Sequence, residues 1–337
     1  MDIIIAVDTG NWAVKSASYV FGGDGTPHIS APFNPGLTRH GKKVPPLATG
    51  ALSIDGQNYS ITSAERLPVR RDKTNDEDYR ILTLGAMARE IRDTWPKRSS
   101  YGTAEAPISV ALAMGLPVAH LSVSSKDGES LRNKYKEFFG FEGKPIQYSF
   151  EGTDYHIQID DVGVFPQSIA AVMAYPHIYA ALRQTLRSYI IDIGGGTTNV
   201  IPIVAGKPQN PGLTIEDGGA LELYKQCRRR AMEENGVELD EIMCDGILRG
   251  LQTVPVTLYD TLNECAGEFV RQLLHKLHAS GVDLAISGLC FVGGTSVLLR
   301  SHIERELQRD DVNIINDISA NAQGYLQLER GRLLSAG

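Results

Sequence analysis

Two stretches of the chain, IIIAVDTGNWAVK (residues 3–15) and YIIDIGGGTTNV (residues 189–200), follow one plan: an apolar strand, an aspartate, one residue, a glycine, small polar residues, then a second strand. A glycine at such a bend lets the backbone turn sharply and come close to a ligand, and successive amide N–H groups there can point at phosphate oxygens. The hydroxyls of Thr9, Thr197 and Thr198 add donors. Phosphates would repel the carboxylates of Asp8 and Asp192, so the sensible partner of these acids is a divalent cation. Mg²⁺ in particular keeps several waters and takes only one or two carboxylates besides the phosphates. Lys15 follows Asp8 by seven residues on the outgoing strand, where an ammonium can meet a β- or γ-phosphate as a point charge.

Around these bends, strands and helices alternate, which defines an α/β class. MDIIIAVDTG and VKSASYVFGG read as a hairpin turning over residues 8–11, and a proline- and glycine-rich region runs from Thr26 to Pro46. ALSIDGQNYSIT suggests two short strands about a tight primed turn at Asp55–Gly56. Ile81, Leu84, Met87, Ala88 and Ile91 recur at helical spacing behind a cluster of acids, predicting an amphipathic helix that ends near Pro96. Then come a buried strand (ISVALAMGLP), a helix over 130–139, two strands (KPIQYSF and YHIQIDD), and a helix expected to start at Pro166 and to break at Pro176. Beyond the second bend the pattern gives further helices from about Gly219, over 258–279, from Ser296 and over 320–328, with strands at LCFVGG and VNIIN.

Composition narrows the function classes. The chain has 337 residues, 42% of them hydrophobic, enough for a sizeable core. No apolar run approaches the roughly 20 residues needed to span a bilayer, and no signal peptide is evident at the start, so a cytoplasmic location and no membrane partner are expected. A net charge of −7 argues against direct, non-specific binding of nucleic acid, which depends on neutralising phosphates. The run Arg228–Arg230 lies among glutamates and reads as a solvated helix face. Cys227, Cys244, Cys265 and Cys290 are widely spaced and form no CxxC pair, which favours reduced structural thiols.

Five stretches in order resemble the actin-type ATPase superfamily, which also holds sugar kinases and DnaK-type chaperones. VDTGNWAVK resembles its first phosphate loop, VGVFPQSIAAV its first connecting helix, IIDIGGGTTNV its second phosphate loop, GLCFVGGTSVL its adenosine motif and NDISANAQGYL its second connecting helix. The resemblance implies an actin-like fold of two related domains, each a five-stranded mixed sheet flanked by helices, with ATP (or GTP) and Mg²⁺ in the interdomain cleft. The domains would comprise residues 1–187 plus 312–337, with a small subdomain at about 22–95, and residues 188–311.

By that similarity, Asp8 and Asp192 hold Mg²⁺, and Asp192 also helps to activate the attacking water. Thr9, Gly10, Asn11 and Lys15 clasp the phosphates from one domain, and Gly194, Gly195, Thr197 and Thr198 from the other. Gln167 orients water for in-line attack, Gly293, Gly294 and Ser296 lie against adenine and ribose, and Gly218, Gly219, Glu222 and Lys225 complete the base pocket. The chain departs from actins at Asn199, where they carry a histidine, and at Gly195, where they carry an acid. Among compact members the best resemblance is to plasmid-segregation actins of the ParM/StbA type. That implies an ATPase that polymerises into filaments with ATP and moves plasmid DNA through a DNA-binding adaptor of ParR type on centromere-like DNA. A small-molecule kinase or a non-polymerising ATP-binding scaffold is the alternative.

Overall fold

The computed structural model describes residues 1–43, 49–62, 67, 72–74, 76–121, 128–209 and 212–336. Part of the proline-rich stretch, residues 44–48, lies outside the described residues. The chain divides into two compact units, residues 1–174 with 319–337, and residues 175–318.

In the first unit, β1 (Ile3–Thr9) turns back into β2 (Val14–Val20), and β3 (His28–Ile29) follows. The strands β4 (Gly36–Gly41), β5 (Ala51–Ile54) and β6 (Gln57–Thr62) precede helix α1 (Glu77–Thr94). Next come β7 (Ser100–Tyr101), β8 (Ile108–Leu116), the helices α2 (Val118–Leu121) and α3 (Gly128–Phe139), and the strands β9 (Ile146–Phe150) and β10 (Thr153–Pro166). One sheet joins all ten strands in the order β3-β2-β1-β8-β10-β9-β5-β6-β4, with β7 beside β10. Asp55 and Gly56 both have positive φ, 49° and 72°, as a primed turn requires.

Strand β1 is buried on both faces, as expected of a strand in the parallel part of a sheet. Ile3, Ile5 and Val7 share a core with α1, whereas Ile4 and Ala6 pack with Ala170, Ala322 and Tyr325. Within residues 22–95, β4–β6 extend the main sheet and Leu37, Leu52 and Ile61 belong to the same core as Val7. One expectation is corrected here, because α1 is not amphipathic: Tyr79, Leu82, Thr83, Ala86 and Glu90 are buried as well as the five periodic positions, and Tyr148 and Tyr155 donate to the helix carbonyls of Leu84 and Ala88, each at 3.2 Å. The buried Glu90 carboxylate is satisfied by the Ser18 hydroxyl (2.8 Å), His28 Nδ1 (2.8 Å) and the Ser30 amide (3.1 Å).

VGVFP is also strand rather than helix: β10 runs on to Pro166, pairing Val164 with Met114 and Pro166 with Leu116. The helix starts three residues later, as α4 (Ile169–Met173), and ends before α5 (Pro176–Gln184), where Pro176 occupies the first turn.

The second unit contains α5, β11 (Arg187–Ile193), β12 (Thr198–Val204), β13 (Lys207–Pro208) and β14 (Leu213–Ile215). Helices α6 (Ala220–Asn235), α7 (Glu241–Leu248) and α8 (Val256–Ala279) follow, then β15 (Gly288–Val292), α9 (Gly294–Leu298), α10 (Arg300–Leu307) and β16 (Asn313–Ile314). Its sheet runs β13-β12-β11-β15-β16, with β14 beside β12. The domain boundaries expected at 187/188 and 311/312 fall instead at 174/175 and 318/319, because α5 packs on β11 and β15, and β16 pairs with β15. The four cysteines are free and buried.

The two sheets share a five-strand plan. In β3-β2-β1-β8-β10 and in β13-β12-β11-β15-β16 the successive pairings are antiparallel, antiparallel, parallel and parallel.

The chain returns to the first unit as α11 (Ala320–Ala336), which packs on α4 and β1. The two helices meet at Gly324, where a Cβ would run into the backbone of Ala170. Gly324→Ala is therefore expected to push α11 off α4 and to destabilise the chain by about 1–3 kcal/mol. Urea unfolding measures this, and an unchanged midpoint would show that the helices are not in close contact at Gly324.

Candidate functional site

Each repeated motif is a hairpin of the same construction. In the first, Asp8 pairs with Lys15 and Thr9 with Val14; in the second, Asp192 pairs with Asn199 and Ile193 with Thr198. Four half-buried residues, 10–13 and 194–197, form each tip between buried strand ends. The incoming strands are β1 and β11, the middle strands of the five-strand plan that the two sheets share, and both tips lie at the carboxyl ends of the parallel strands. Open α/β sheets bind ligands at that edge.

In the first unit, Asp8 is only 5% exposed, and its carboxylate pairs with Lys15 Nζ at 3.2 Å. The Gly10 amide donates to Asp8 O at 3.0 Å and tightens the turn. Asn11 carries a buried amide oxygen without a hydrogen-bond partner, in the middle of the tip. Rotating that amide would present its NH₂ group at the same spot. Gln167 follows the last residue of β10. Its amide N–H donates to Leu116 O at 2.9 Å, and its side-chain Nε2 lies 3.5 Å from Gly115 O. Next to it, Ser168 has φ 65° and donates its amide to Asn321 Oδ1 of α11 at 2.9 Å. β10 is two strands from β1 through β8, which puts Gln167 on the same sheet edge as Asp8 at a separation of about 10 Å.

The sequence reading missed Lys73. Its Nζ donates to the Thr9 carbonyl and lies 3.4 Å from Thr9 Oγ1. Burial pushes this ammonium down to about 8; the nearby Asp8 opposes the shift and Lys15 adds to it. Nothing in RRDKTNDED separates Lys73 from an ordinary surface lysine, because its contact with Thr9 spans 64 positions of sequence.

In the second unit, the loop is tied into a cluster of backbone bonds. The Gly194 amide donates to Thr197 O at 2.9 Å, the amides of Ala220 and Leu221 at the start of α6 donate to Gly194 O (3.1 Å) and Gly195 O (2.9 Å), and the Thr295 hydroxyl donates to Gly194 O at 2.9 Å. Thr198 is fully buried and donates its hydroxyl to Gly218 O at 2.6 Å, so it joins the loop to the turn at 218–219. Asp192 is 8% exposed. Gly293 has φ 94°, and a Cβ there would lie 2.5 Å from Asp192 Oδ1, so glycine is required beside this acid.

The remaining residues are less engaged. Ser296 is buried and donates to Val292 O at the end of β15 at 2.6 Å, and Gly294 has only ordinary contact with Ile318. Glu222 and the exposed Lys225 pair with each other at 3.4 Å along α6. Asn199 accepts from the Thr214 hydroxyl at 2.9 Å. Among the described residues no group of three or more His, Cys, Asp or Glu side chains is arranged to hold a metal. A single buried carboxylate beside each tip, Asp8 and Asp192, would suit a cation that takes single carboxylates and completes its shell with phosphate and water, as Mg²⁺ does. The orphaned Asn11 oxygen in the tip and the loop amides fit a phosphate ligand.

No protein-family model matches the chain, and no curated protein matches it in sequence. Solved structures do match over nearly its whole length. A 15-stranded ParM filament from Clostridium botulinum aligns with TM-score 0.70 and 17% identity over 98% of this chain and 99% of that one. An archaeal actin homologue in complex with ADP gives TM-score 0.66 and 17% identity over 97% and 99%. A Bacillus thuringiensis ParM with ATP gives TM-score 0.66 and 13% identity over 99% of each chain. The chain therefore has the actin-like fold. Within that fold its structure is similar to those of the ParM proteins and the archaeal actin homologue.

The Lys73 ammonium generates a pH-dependent stability of known sign. Between about 8 and the ordinary lysine value of 10.5, the unfolded chain binds a proton that the folded chain has lost, so stability rises with pH in that window. Relative to a Lys73→Met variant, the melting temperature of the parent should climb as pH goes from about 7.5 to about 9.5. A constant difference across that range would mean that the ammonium is solvated.

Proposed function

We propose that this protein is an actin-like ATPase whose two hairpin tips clasp the phosphates of one nucleotide and which assembles into filaments when ATP is bound. The observation that carries the reading is the twin construction: two hairpins of equal register, tip length and burial, each with an aspartate at the carboxyl end of the central strand of a matching sheet. The likeness to structures described as a ParM filament, an ADP complex and an ATP complex supports it.

In this reading Thr9 and Asn11 offer donors from the first tip, whose turn Gly10 tightens, and Gly195 to Thr197 offer theirs from the second, whose turn Gly194 closes. Lys15 turns from Asp8 toward the β- or γ-phosphate. Mg²⁺, held by Asp8 and Asp192, supplies charge neutralisation at the phosphate oxygens. Gln167 orients the attacking water; an amide is no base, so it acts by positioning. Asp192 accepts a hydrogen bond from that water. Thr198, Gly218 and Gly219 fix the shape of the second loop, and Gly293, Gly294, Ser296, Glu222 and Lys225 border the base and ribose. Hydrolysis removes the group that both tips hold, and the filament loosens. Coupling of the filament to plasmid DNA through a ParR-type adaptor, in the cytoplasm, completes the proposal.

The test is to add ATP and Mg²⁺ to the pure protein and follow light scattering, phosphate release and negative-stain images together. Polymers with phosphate release are expected. Nucleotide binding with neither would favour a scaffold, and transfer of phosphate to a small hydroxyl compound would favour a kinase. Asp192→Ala should bind ATP yet release phosphate far more slowly and give longer-lived polymers; release at the parent rate would remove Asp192 from the chemistry. Gln167→Ala should slow turnover by about 10²-fold with affinity nearly intact. A matching loss of affinity would instead make Gln167 part of the binding site.

A further inference from the structure

Between β10 and α4 the chain turns on a single strained residue. Ser168 has φ 65° and ψ −47°, and the Ile169 amide donates to Gln167 O at 2.7 Å. These values describe a three-residue γ-turn of the rare, strained kind. Glycine is the usual occupant of such a left-handed backbone, yet the chain places there a serine that is only 2% exposed. Strain of this sort persists where the surroundings over-determine it, and it collects at functional sites.

The surroundings are supplied by β8 and α11. The Gln167 amide donates to the carbonyl of Leu116, the last residue of β8, at 2.9 Å, which fixes the turn on its incoming side. Asn321, in the first turn of α11, accepts the Ser168 amide on its Oδ1 at 2.9 Å and holds the middle residue. Four residues further along α11, Tyr325 covers Gly115 so closely that a Cβ on that glycine would run into the ring. Gly115 in turn presents the carbonyl that lies 3.5 Å from Gln167 Nε2. Residues four apart share a helix face, so one face of α11 meets the turn through Asn321 and the strand beside the Gln167 side chain through Tyr325. The φ of Ser168 sets the angle between the peptide that carries Gln167 and the helix that follows. Without the Asn321 acceptor a buried N–H would lose its partner, and a return of Ser168 to negative φ would swing that peptide away.

We propose that Asn321 is a positioning residue for Gln167: by accepting the Ser168 amide it holds the γ-turn that aims the Gln167 side chain along the sheet edge shared with Asp8. This inference rests on the water-orienting role read for Gln167 and adds the residue through which that role depends on α11. Asn321 touches neither nucleotide nor water in this scheme, so its whole effect passes through Gln167.

The experiment compares full-length Asn321→Ala, Asn321→Asp, Gln167→Ala and the double variant Gln167→Ala/Asn321→Ala with the parent for ATP affinity, single-turnover phosphate release and melting temperature. Asn321→Ala removes the acceptor and should slow phosphate release by about tenfold, with ATP affinity within about twofold of the parent. Asn321→Asp keeps an acceptor oxygen and should recover most of the rate. In the Gln167→Ala background Asn321→Ala should slow the rate no further, because residues that act as a unit are not additive. If Gln167→Ala is slow but Asn321→Ala releases phosphate at the parent rate, with or without a lower melting temperature, the positioning role is overturned and the reading of Gln167 stands. Full additivity in the double variant, or an Asn321→Asp as slow as Asn321→Ala, overturns it equally. If Gln167→Ala keeps the parent rate, both are overturned. Should Asn321→Ala fail to fold, Asn321→Ser, whose hydroxyl is one bond too short to reach the Ser168 amide, takes its place with the same outcomes.

Discussion

Both hairpins hold a carboxylate at the end of a buried apolar run, Ile3–Val7 in one and Tyr189–Ile191 in the other, and this placement governs the surrounding structure. A charge so far out of water needs compensating partners nearby, or it protonates or unfolds its site. Register decides what the hairpin itself can offer. Across from Asp8 it brings Lys15; at the equivalent position across from Asp192 it brings the uncharged Asn199. The two halves of the chain therefore repeat one backbone device with different electrostatics. The five-strand plan common to both sheets exists to deliver these two strands, centrally and in parallel pairing, to the same kind of edge.

What surrounds each acid follows from that. Near Asp192 the start of α6 and the hydroxyl of Thr295 occupy the loop carbonyls of Gly194 and Gly195, and the Gly194 amide closes the turn on Thr197 O. Near Asp8 the tip is pinned from outside the hairpin by Lys73. Gln167 is held differently again. Its backbone is clamped to β8, the strained Ser168 that follows is capped by Asn321, and the approach of α11 to α4 that makes this possible depends on Gly324. A water-orienting amide in the proposed role needs a firm base, and the backbone next to Gln167 is held by a helix from the far end of the sequence.

The hairpins, the primed turn at Asp55–Gly56, the break at Pro176 and the rod at 256–279 were legible because each depends on local chemistry: alternation, glycine at positive φ, a missing amide, apolar spacing. Misreadings came where tertiary packing overrides the local pattern. The periodic apolar positions of α1 suggested one buried face, but the tyrosines of β9 and β10 cover another and bury the polar Thr83 and Glu90 too. VGVFP preceded a proline and so resembled a helix start, yet its register with β8 keeps it in the sheet as far as Pro166 itself. α7 is short and amphipathic only against α6 and α8, and escaped notice. The roles of Thr198 and Ser296 illustrate the same limit. Sequence shows a hydroxyl in the right loop, but only the fold shows that its proton is already given to Gly218 O or to Val292 O.

The difference between Lys15 and Asn199 also bears on how the two hairpins would share a nucleotide under the proposed reading. The first tip carries its own counter-charge, with Lys73 as a second cation a few ångströms behind it, so a polyanion meets a surface whose net charge is positive. At the second tip the residue opposite the acid is neutral, so the hairpin itself brings no cation to Asp192. A divalent ion is what reconciles that second tip with a phosphate, and the first tip needs it less. Under the proposed reading the γ-phosphate would be met by the Lys15 ammonium at one hairpin and through a metal at the other. Under that reading the two repeats differ in their hold on the γ-phosphate at one register position, occupied by lysine in one repeat and by asparagine in the other.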